Sequence, residues 1–499
     1  MHIRTEKLRL FFRQSLPTLA MAVALLTAVA VPLLDYLPPT DTAYQPLSDA
    51  AKGLDDYTFD LKLNPQDSTL SVSMSLKLTN RTPDTWQDVV IRTYPGAYHS
   101  RETSPAASEE LFDLCYPYGF SPGRLLLHDV TWNSTPIPVS FDDAAMTVLR
   151  AVTGDIAPGT SGTLALRMVL FVPECLSRFG RTNDVWLFGN SLPILSVYED
   201  GVWRTDPYLP VGDPFVSECA NYSVTIALPE GFQLLAGAPV QKTRGKFTCK
   251  ALAVRDFSFA VAQNLDIATT QVEHTQIRAY AHNSQTARQA LRFAKDALSF
   301  YNDIYGLYPY PVYTVFMTPI PFAGVEYACF VLINRDYAAP GLEDMLELVI
   351  AHETAHQWFY ALVGSDQYRH PWQDEAVSEH AMMSYVRHIH GLAAYDSLVA
   401  HRIDAPMREN IRPGITPGSP LDLFANIAEY TSVVYGRGAA ALQAVDLMTN
   451  GKVDSFLKEY VHRFSFRLAT RQDFETLLND FMQEDLSPLL RDYLDTVLL

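Results

Sequence analysis

Between residues 51 and 275, apolar and polar residues tend to alternate along the chain. This period of two is typical of a β-strand that buries one face. The clearest run has apolar residues at Leu70, Val72, Met74, Leu76 and Leu78. Turn-forming pairs such as Pro158-Gly159 separate the runs. The pattern predicts an antiparallel β-saddle or β-sandwich domain over 51–275.

After residue 276 the period changes to that of a helix. Apolar residues recur at helical spacing over 285–305, and Tyr308-Pro309-Tyr310-Pro311 ends this run. Strand-like runs follow at 313–317 and 326–333, and the chain from Leu342 onwards is mostly helical. We therefore predict a second, mostly helical domain over 276–499, so that the fold class is α+β and multidomain.

The N-terminus has the pattern of a targeting segment. Residues 1–14 carry four basic residues and predict a cytoplasmic tail, and the uncharged run 16–34 is just long enough to cross a bilayer. We predict a transmembrane signal anchor at 15–35 and a linker at 36–50. The positive-inside rule then predicts a single-pass cell-membrane protein with an extracytoplasmic catalytic domain. Ala28-Val29-Ala30 resembles a cleavage site, so secretion after signal removal is the alternative.

Composition narrows the choice of partners. The 499 residues are 48% hydrophobic and 19% charged, which is a globular balance, and the net charge of −18 argues against nucleic acid. An acidic surface instead favours cationic groups such as a peptide ammonium.

The five cysteines leave open whether the first domain contains one or two disulfides, whereas the apolar surroundings of Cys329 predict a buried free thiol.

The sequence HETAH contains a candidate metal site. His352 and His356 are four residues apart and project from one helix face, so both imidazoles can bind one metal ion. Glu353 lies about 100° round the helix, where it can face the metal without binding it. Glu375, on a following helix, is the candidate third ligand, and two histidines with one carboxylate are typical of catalytic Zn²⁺. His370 and His380 are alternative third ligands, and a buried helix with hydrogen-bonded histidines is the non-functional alternative.

Three motifs resemble those of the gluzincin aminopeptidases, of the aminopeptidase N and leukotriene hydrolase type. They are HETAHQWF with Glu375, AGVEY at 323–327, which is similar to the family's GAMEN motif, and VVYGRGAAAL at 433–442, which is similar to its Tyr-x-Lys-Gly segment. GDPF at 212–215 also resembles the family's Asp-x-Pro loop. The resemblance implies a β-domain before a thermolysin-like zinc peptidase domain, one Zn²⁺ ion, and here no long C-terminal helical solenoid.

The resemblance also implies roles for single residues. Glu353 would be the general base that takes a proton from water, and Tyr435 would stabilise the oxyanion, with Tyr430 as the alternative. Glu326 would bind the substrate ammonium, while Ala323, Gly324 and Val325 would line the substrate backbone. Glu379, one turn after Glu375, is either a carboxylate that orients a ligand imidazole or a solvated side chain.

These expectations combine into a membrane-anchored zinc aminopeptidase that acts on peptides with a free N-terminus. An endopeptidase or epoxide hydrolase of the same fold is one alternative. A catalytically inactive peptide-binding receptor is the other.

Overall fold

The computed structural model describes residues 47–107 and 111–496. All of these residues belong to one compact unit. Its strands, in chain order, are β1 (Asp55–Asn64), β2 (Thr69–Thr79), β3 (Val89–Arg92), β4 (Arg124–Trp132), β5 (Thr135–Pro136), β6 (Val139–Phe141), β7 (Val148–Ala151), β8 (Ser161–Phe171), β9 (Phe179–Arg181), β10 (Val185–Phe188), β11 (Ile194–Leu195), β12 (Tyr198–Glu199), β13 (Val202–Trp203), β14 (Ala220–Ala227), β15 (Gln233–Ala236), β16 (Val240–Thr243), β17 (Lys246–Val254), β18 (Phe259–Ala262), β19 (Asp266–Val272), β20 (Thr275–Ala281), β21 (Val312–Thr318), β22 (Gly324–Tyr327), β23 (Phe330–Asn334), β24 (Val363–Gly364) and β25 (Arg467–Leu468).

Most of the first half is built on an eight-stranded sheet in the order β16-β17-β14-β1-β2-β8-β4-β5. The alternating run in β2 buries its apolar residues, and Leu76 pairs with Tyr57 on β1 and Leu164 on β8. Since successive side chains point to opposite faces, this register places one apolar face against the core. The predicted sheet is antiparallel except at β1 and β14, which are parallel.

Two four-stranded sheets, β15-β18-β10-β9 and β11-β3-β7-β6, complete the β-rich part together with the β12-β13 hairpin. A five-stranded sheet, β19-β20-β21-β23-β22, begins the second half, and β22 is its edge strand. The predicted strand over 326–333 is two antiparallel strands, because Cys329 has a φ of 63° and turns the chain between them. Strand β19 lies before the predicted domain boundary at 275/276 but belongs to this mixed sheet of the second half. The boundary therefore stays a prediction.

The helices are α1 (Leu47–Ala50), α2 (Phe112–Cys115), α3 (Ser284–Tyr305), α4 (Glu343–Ala355), α5 (Trp372–His390), α6 (Leu392–Val399), α7 (Ala405–Met407), α8 (Ile427–Tyr430), α9 (Gly438–Met448), α10 (Val453–Phe464), α11 (Arg471–Met482) and α12 (Ser487–Leu494). Local sequence explains their ends. Asn283 caps α3 by accepting a hydrogen bond from the Thr286 amide, and Thr470 and Asp473 form a reciprocal capping box on α11. The predicted α+β class, with β-sheets before a helical part, is confirmed.

The predicted membrane anchor is corrected. Within the part of the chain that the structure describes, no helix is both long and apolar enough to cross a bilayer. The longest helix, α3, has 22 residues but carries Arg288, Arg292 and Lys295, and a bilayer core excludes such charges. The segments 1–14, 15–35 and 36–46 lie outside the described residues. The single-pass membrane location, which depended on the anchor, is corrected together with it.

All five cysteines are buried free thiols, so the open question about disulfides is answered. Cys329 is among them, as its apolar surroundings predicted.

Candidate active site

Helix α4 carries the HETAH motif and stops where the second histidine begins. His352 lies in its last turn, and His356 follows Ala355 as the capping residue. After His356 the backbone leaves the helical conformation at Phe359 and Tyr360. The motif therefore sits at a helix end, which leaves room for groups from other elements to approach both imidazoles.

Helix α5 brings Glu375 to the two histidines. Its Oε2 lies 3.3 Å from His352 Nε2 and 3.2 Å from His356 Nε2, and the two nitrogens are 3.1 Å apart. All three side chains are buried. Although burial opposes protonation, Glu375 and Glu379 raise the pKa of His352 to about 9. These three donor atoms face one another closely enough that they could hold one metal ion together.

The outer nitrogens of both imidazoles also have polar neighbours. His352 Nδ1 lies 3.2 Å from Glu379 Oε2, and His356 Nδ1 lies 3.1 Å from the Ser378 hydroxyl. Glu379 is 1% exposed and receives two hydrogen bonds from Arg402, at 2.6 and 3.0 Å. Such contacts direct the Nε2 atoms towards a common point. Of the two alternatives for Glu379, the structure has the buried carboxylate beside an imidazole.

Glu353 lies beside this cluster on the same helix. Its Oε2 is buried and has no hydrogen-bond partner within the described residues. Burial raises the pKa of its carboxyl group to about 7, against the lowering effect of the two histidines. A methyl group at Gly324 would lie only 2.4 Å from Glu353 Oε1, so glycine is needed where the hairpin crosses the carboxylate.

Tyr435 faces His352 from the other side, with ring centroids 5.5 Å apart. It lies in a π-helical turn, Thr431–Arg437, a feature that often occurs at functional sites. Burial and the neighbouring Glu375 carboxylate hold the pKa of its phenol well above the usual value. Tyr430, the alternative candidate, packs edge-on against Tyr435 at 5.7 Å.

In the hairpin of β22 and β23, only some of the AGVEY residues line the cavity. Ala323 and Gly324 line the cavity described below, whereas Val325 and Glu326 are buried and are not among its lining residues. Val325 belongs to the apolar core, and the next residue, Glu326, points to the opposite face. Burial, together with Asp213, raises the pKa of Glu326 well above its usual range, while His356 opposes this.

Asp213 and Arg178 add a half-buried charge pair from the first half of the chain. They form a close ion pair, and the Arg178 guanidinium lies 5.1 Å from the Phe215 ring and 5.8 Å from the Phe322 ring. Burial outweighs Arg178 and raises the pKa of Asp213, and the nearby Glu375 adds to the rise. The carboxylates of Asp213, Glu326 and Glu353 thus share one region.

These groups meet at a cavity of about 870 Å³. Its wall includes His352, Glu353 and Tyr435 from the second half, and Arg178 and Asp213 from the first half. Ligand sites of this size are typical of small molecules and short peptides. The two alternative third ligands lie elsewhere: His380 contacts Asp454 at 3.3 Å, and His370 is not in the cluster.

Comparison with known proteins identifies this part of the chain. Residues 289–493 match the sequence model of the Peptidase family M1 domain. This part of the chain is similar to an M1 peptidase domain. The predicted membership of the gluzincin aminopeptidase N type is confirmed.

Named relatives of the M1 domain are distant. Human aminopeptidase B is 25% identical over 291 residues, which cover 53% of this chain and 42% of the relative. Aminopeptidase N of Lactobacillus helveticus is 25% identical over 267 residues, covering 48% and 31% respectively. The chain therefore spans less than half the length of these relatives.

Solved structures show the same fold over most of the chain. The M1 zinc metallopeptidase of Deinococcus radiodurans superposes with a TM-score of 0.62 at 16% identity, covering 91% of this chain and 99% of the other. A mutant of that enzyme bound to a Tyr-Ser-Ala substrate gives a TM-score of 0.59. The β-rich first half thus belongs to the shared architecture.

Several site residues of the M1 domain and its β-rich neighbour were not predicted. Asp213 lies in the GDPF loop, so the motif pointed to the loop but assigned no role to the carboxylate. Arg178, Ser378 and Arg402 lie in no recognised motif. Their relation to the site depends on contacts between distant segments, which spacing along the chain does not reveal.

Proposed function

We propose that this chain is a zinc-dependent aminopeptidase that hydrolyses the first peptide bond of substrates with a free N-terminus. The observation that carries the proposal is the triangle of His352, His356 and Glu375 donor atoms, 3.1–3.3 Å apart, in which His352 lines the cavity together with Glu353. The aminopeptidase relatives and the fold of an M1 zinc metallopeptidase support it.

The three donors fit zinc in kind and spacing. Ligands about 2.0–2.1 Å from a tetrahedral zinc ion are separated by about 3.3 Å. The observed triangle matches this edge, so His352, His356 and Glu375 would hold the ion without large movement. When bound, zinc supplies a Lewis acid that acidifies water and polarises a carbonyl group.

Glu353 has the properties of the general base. Its pKa of about 7 in the metal-free protein allows it to accept a proton near neutral pH, and its Oε2 is free to receive one. After bond cleavage the same carboxyl group would pass the proton to the leaving amine. Gly324 keeps the carboxylate accessible because any side chain there would displace it.

Tyr435 has the properties of an oxyanion donor. Because its pKa is well above the usual value, the phenol keeps its proton throughout the physiological range. A neutral hydroxyl group that keeps its proton can donate a hydrogen bond to a developing negative charge. The stacking of its ring on His352 and the proximity of its phenol to Glu375 support this role.

Glu326 and Asp213 would select the free N-terminus. Asp213 is half-buried on the cavity wall and Glu326 is buried behind it, and an acid–ammonium pair shielded from water is stronger than an exposed one. With one ammonium group bound there, the scissile carbonyl of the first residue reaches the metal centre and longer N-terminal extensions are excluded. β22 also offers a free sheet edge to which an extended peptide could hydrogen-bond.

The test compares alanyl peptides with their N-acetylated forms on wild type, Glu353→Gln and Glu326→Ala, with the zinc content measured. We expect wild type to bind one zinc ion and to cleave only free-amine substrates. Glu353→Gln should keep zinc and lose at least about 10³-fold in kcat. Glu326→Ala should mainly raise KM and lose discrimination against acetylated peptides.

The two alternatives predict other results in the same test. Equal cleavage of free and acetylated peptides, or turnover of epoxides alone, would replace the aminopeptidase with an endopeptidase or an epoxide hydrolase. Purified protein that binds peptide but no zinc would indicate a non-catalytic receptor.

A further inference from the structure

Arg402 is a cavity residue to which neither the motifs nor the comparisons assign a role. It lies in a π-helical turn, Ala400–Asp404, next to the π-helical turn that carries Tyr435. The two turns are in close contact: a methyl group added at Gly436 would lie 2.5 Å from the Pro406 Cβ and 3.1 Å from the Arg402 carbonyl oxygen. The fold thus brings Arg402 and Tyr435 to one wall of the cavity.

The guanidinium is held on one side and free on the other. Nε and Nη2 donate to the two carboxylate oxygens of Glu379, at 2.6 and 3.0 Å. Nη1 makes no hydrogen bond within the described residues, and the Arg402 side chain, 38% exposed, lines the cavity. A fixed guanidinium with one free donor facing a ligand cavity is suited to bind an oxygen of the ligand.

The direction of the substrate follows from the other charges. Asp213 and Gly324 lie on the wall that would receive the ammonium group, together with Glu326 behind it. Once the scissile carbonyl is at the metal centre, the residues after the scissile bond must leave along another wall. The wall with Tyr435 and Arg402 borders the same centre, since Glu379 contacts both Arg402 and His352.

We propose that Arg402 binds the carbonyl oxygen of the residue that follows the scissile bond, and that Glu379 positions both Arg402 and His352. This inference rests on the proposed aminopeptidase function. A carbonyl group fits better than a free carboxylate, because Asp344 and Glu347 also line this side and offset the positive charge. Glu347 is paired with His390 at 3.0 Å, and His401 also faces the cavity.

The kinetic test uses two substrates that differ only after the scissile bond. Ala-Ala-Ala has the carbonyl group in question, whereas alanine β-naphthylamide has a leaving amine without oxygen. For Arg402→Ala we expect kcat/KM to fall about tenfold or more on the tripeptide and less than about twofold on the naphthylamide. Arg412→Ala is the matched control, because Arg412 has the same bidentate bond to a glutamate, Glu429, outside the cavity.

A binding test needs no turnover. In zinc-loaded Glu353→Gln protein, the dissociation constant of Ala-Ala-Ala is measured by calorimetry with and without Arg402→Ala, and we expect about tenfold weaker binding. Glu379→Gln should weaken tripeptide binding similarly and lower the zinc affinity as well, because it releases both Arg402 and His352.

Three results would overturn the proposal. Equal losses on both substrates would assign Arg402 a structural role, and unchanged binding would show that it does not touch the peptide. A larger loss on Ala-Ala than on Ala-Ala-amide would assign the guanidinium to a terminal carboxylate instead. If wild type cleaves neither substrate, the aminopeptidase function fails, while the calorimetry still tests Arg402 on its own.

Discussion

The eight-stranded sheet and the helices α4 and α5 bury their residues in different ways. In β2 every buried position except Thr69 is apolar, and polar residues alternate with them on the other face. In α4 and α5 the buried positions include His352, Glu353, Asp374, Glu375 and Glu379. The sheet is stabilised by removing apolar surface from water. The helices instead carry ionisable groups that are tolerated only because partners compensate them.

This difference separates stability from function. Charges buried without full compensation have shifted pKa values, as Glu353 and Asp374 show at about 7 and about 8, where burial is the main cause for both. Such shifts are typical of active sites. Substitutions in the sheet should therefore change the free energy of unfolding and leave zinc binding intact. Substitutions among the buried charges should differ in their effects, depending on which partner each substitution removes.

The largest effect is expected for Leu76→Ala in the sheet. Leu76 is fully buried between its neighbours on β1 and β8, so truncation leaves a cavity and should cost about 3 kcal/mol. Urea unfolding of zinc-loaded protein measures the loss. Lys77→Ala, the next residue on the exposed face, is the control and should change little. A cost below about 1 kcal/mol, or loss of zinc, would contradict the comparison.

Arg255→Met should cost nearly as much, about 3 kcal/mol, for an electrostatic reason. The Arg255 guanidinium is 1% exposed and donates to the carbonyl oxygens of Tyr360, Ser217, Leu362 and Arg467. Methionine fills part of the space but leaves these acceptors unpaired. The exposed Arg288→Met on α3 is the control. An unfolding free energy equal to wild type would show that water replaces the guanidinium.

A smaller and pH-dependent effect is expected for His380→Gln. Despite burial, the Asp454 carboxylate raises the pKa of His380, and Tyr305 and Ser384 also donate to Asp454. A raised histidine pKa contributes stability that is complete below the unfolded value and is lost as pH rises through the folded value. The variant should therefore be less stable by about 2 kcal/mol at pH 6.

The same variant should approach wild type as pH rises towards 9. Because Asp454 has a lowered pKa, it stays charged throughout this range. The expected change of the stability difference with pH therefore comes from His380. Urea titrations of both proteins at several pH values give the difference. A constant difference at all pH values would mean that His380 contributes through packing alone.

The smallest effect is expected for Arg167→Ala. Its ion pair with Asp129 lies on the outer face of the sheet, and both side chains are more than half exposed. Exposed pairs of this kind contribute little, so the change should stay within about 0.5 kcal/mol. A loss above about 1 kcal/mol would remove the distinction between exposed and buried charges on which the comparison depends.

Much of the architecture could be predicted from local sequence. The period of two gave β2, and the helical period over 285–305 gave α3 nearly to the residue. Local pattern was insufficient where backbone geometry breaks a run. The strand predicted over 326–333 is in fact a hairpin, because Cys329 has a left-handed conformation. An apolar run contains no residue pattern that predicts such a turn.

Local sequence was sufficient to pick out the candidate metal ligands. Side chains four apart on a helix must share a face, so HETAH placed His352 beside His356 before any fold was known. Long-range packing brings the neighbouring charges to them: Arg402 behind Glu379, and Asp213 with Arg178 from the other half of the chain. Spacing along a helix is a local property, whereas these pairs join segments far apart in sequence, and their proximity depends on the packing of the whole core.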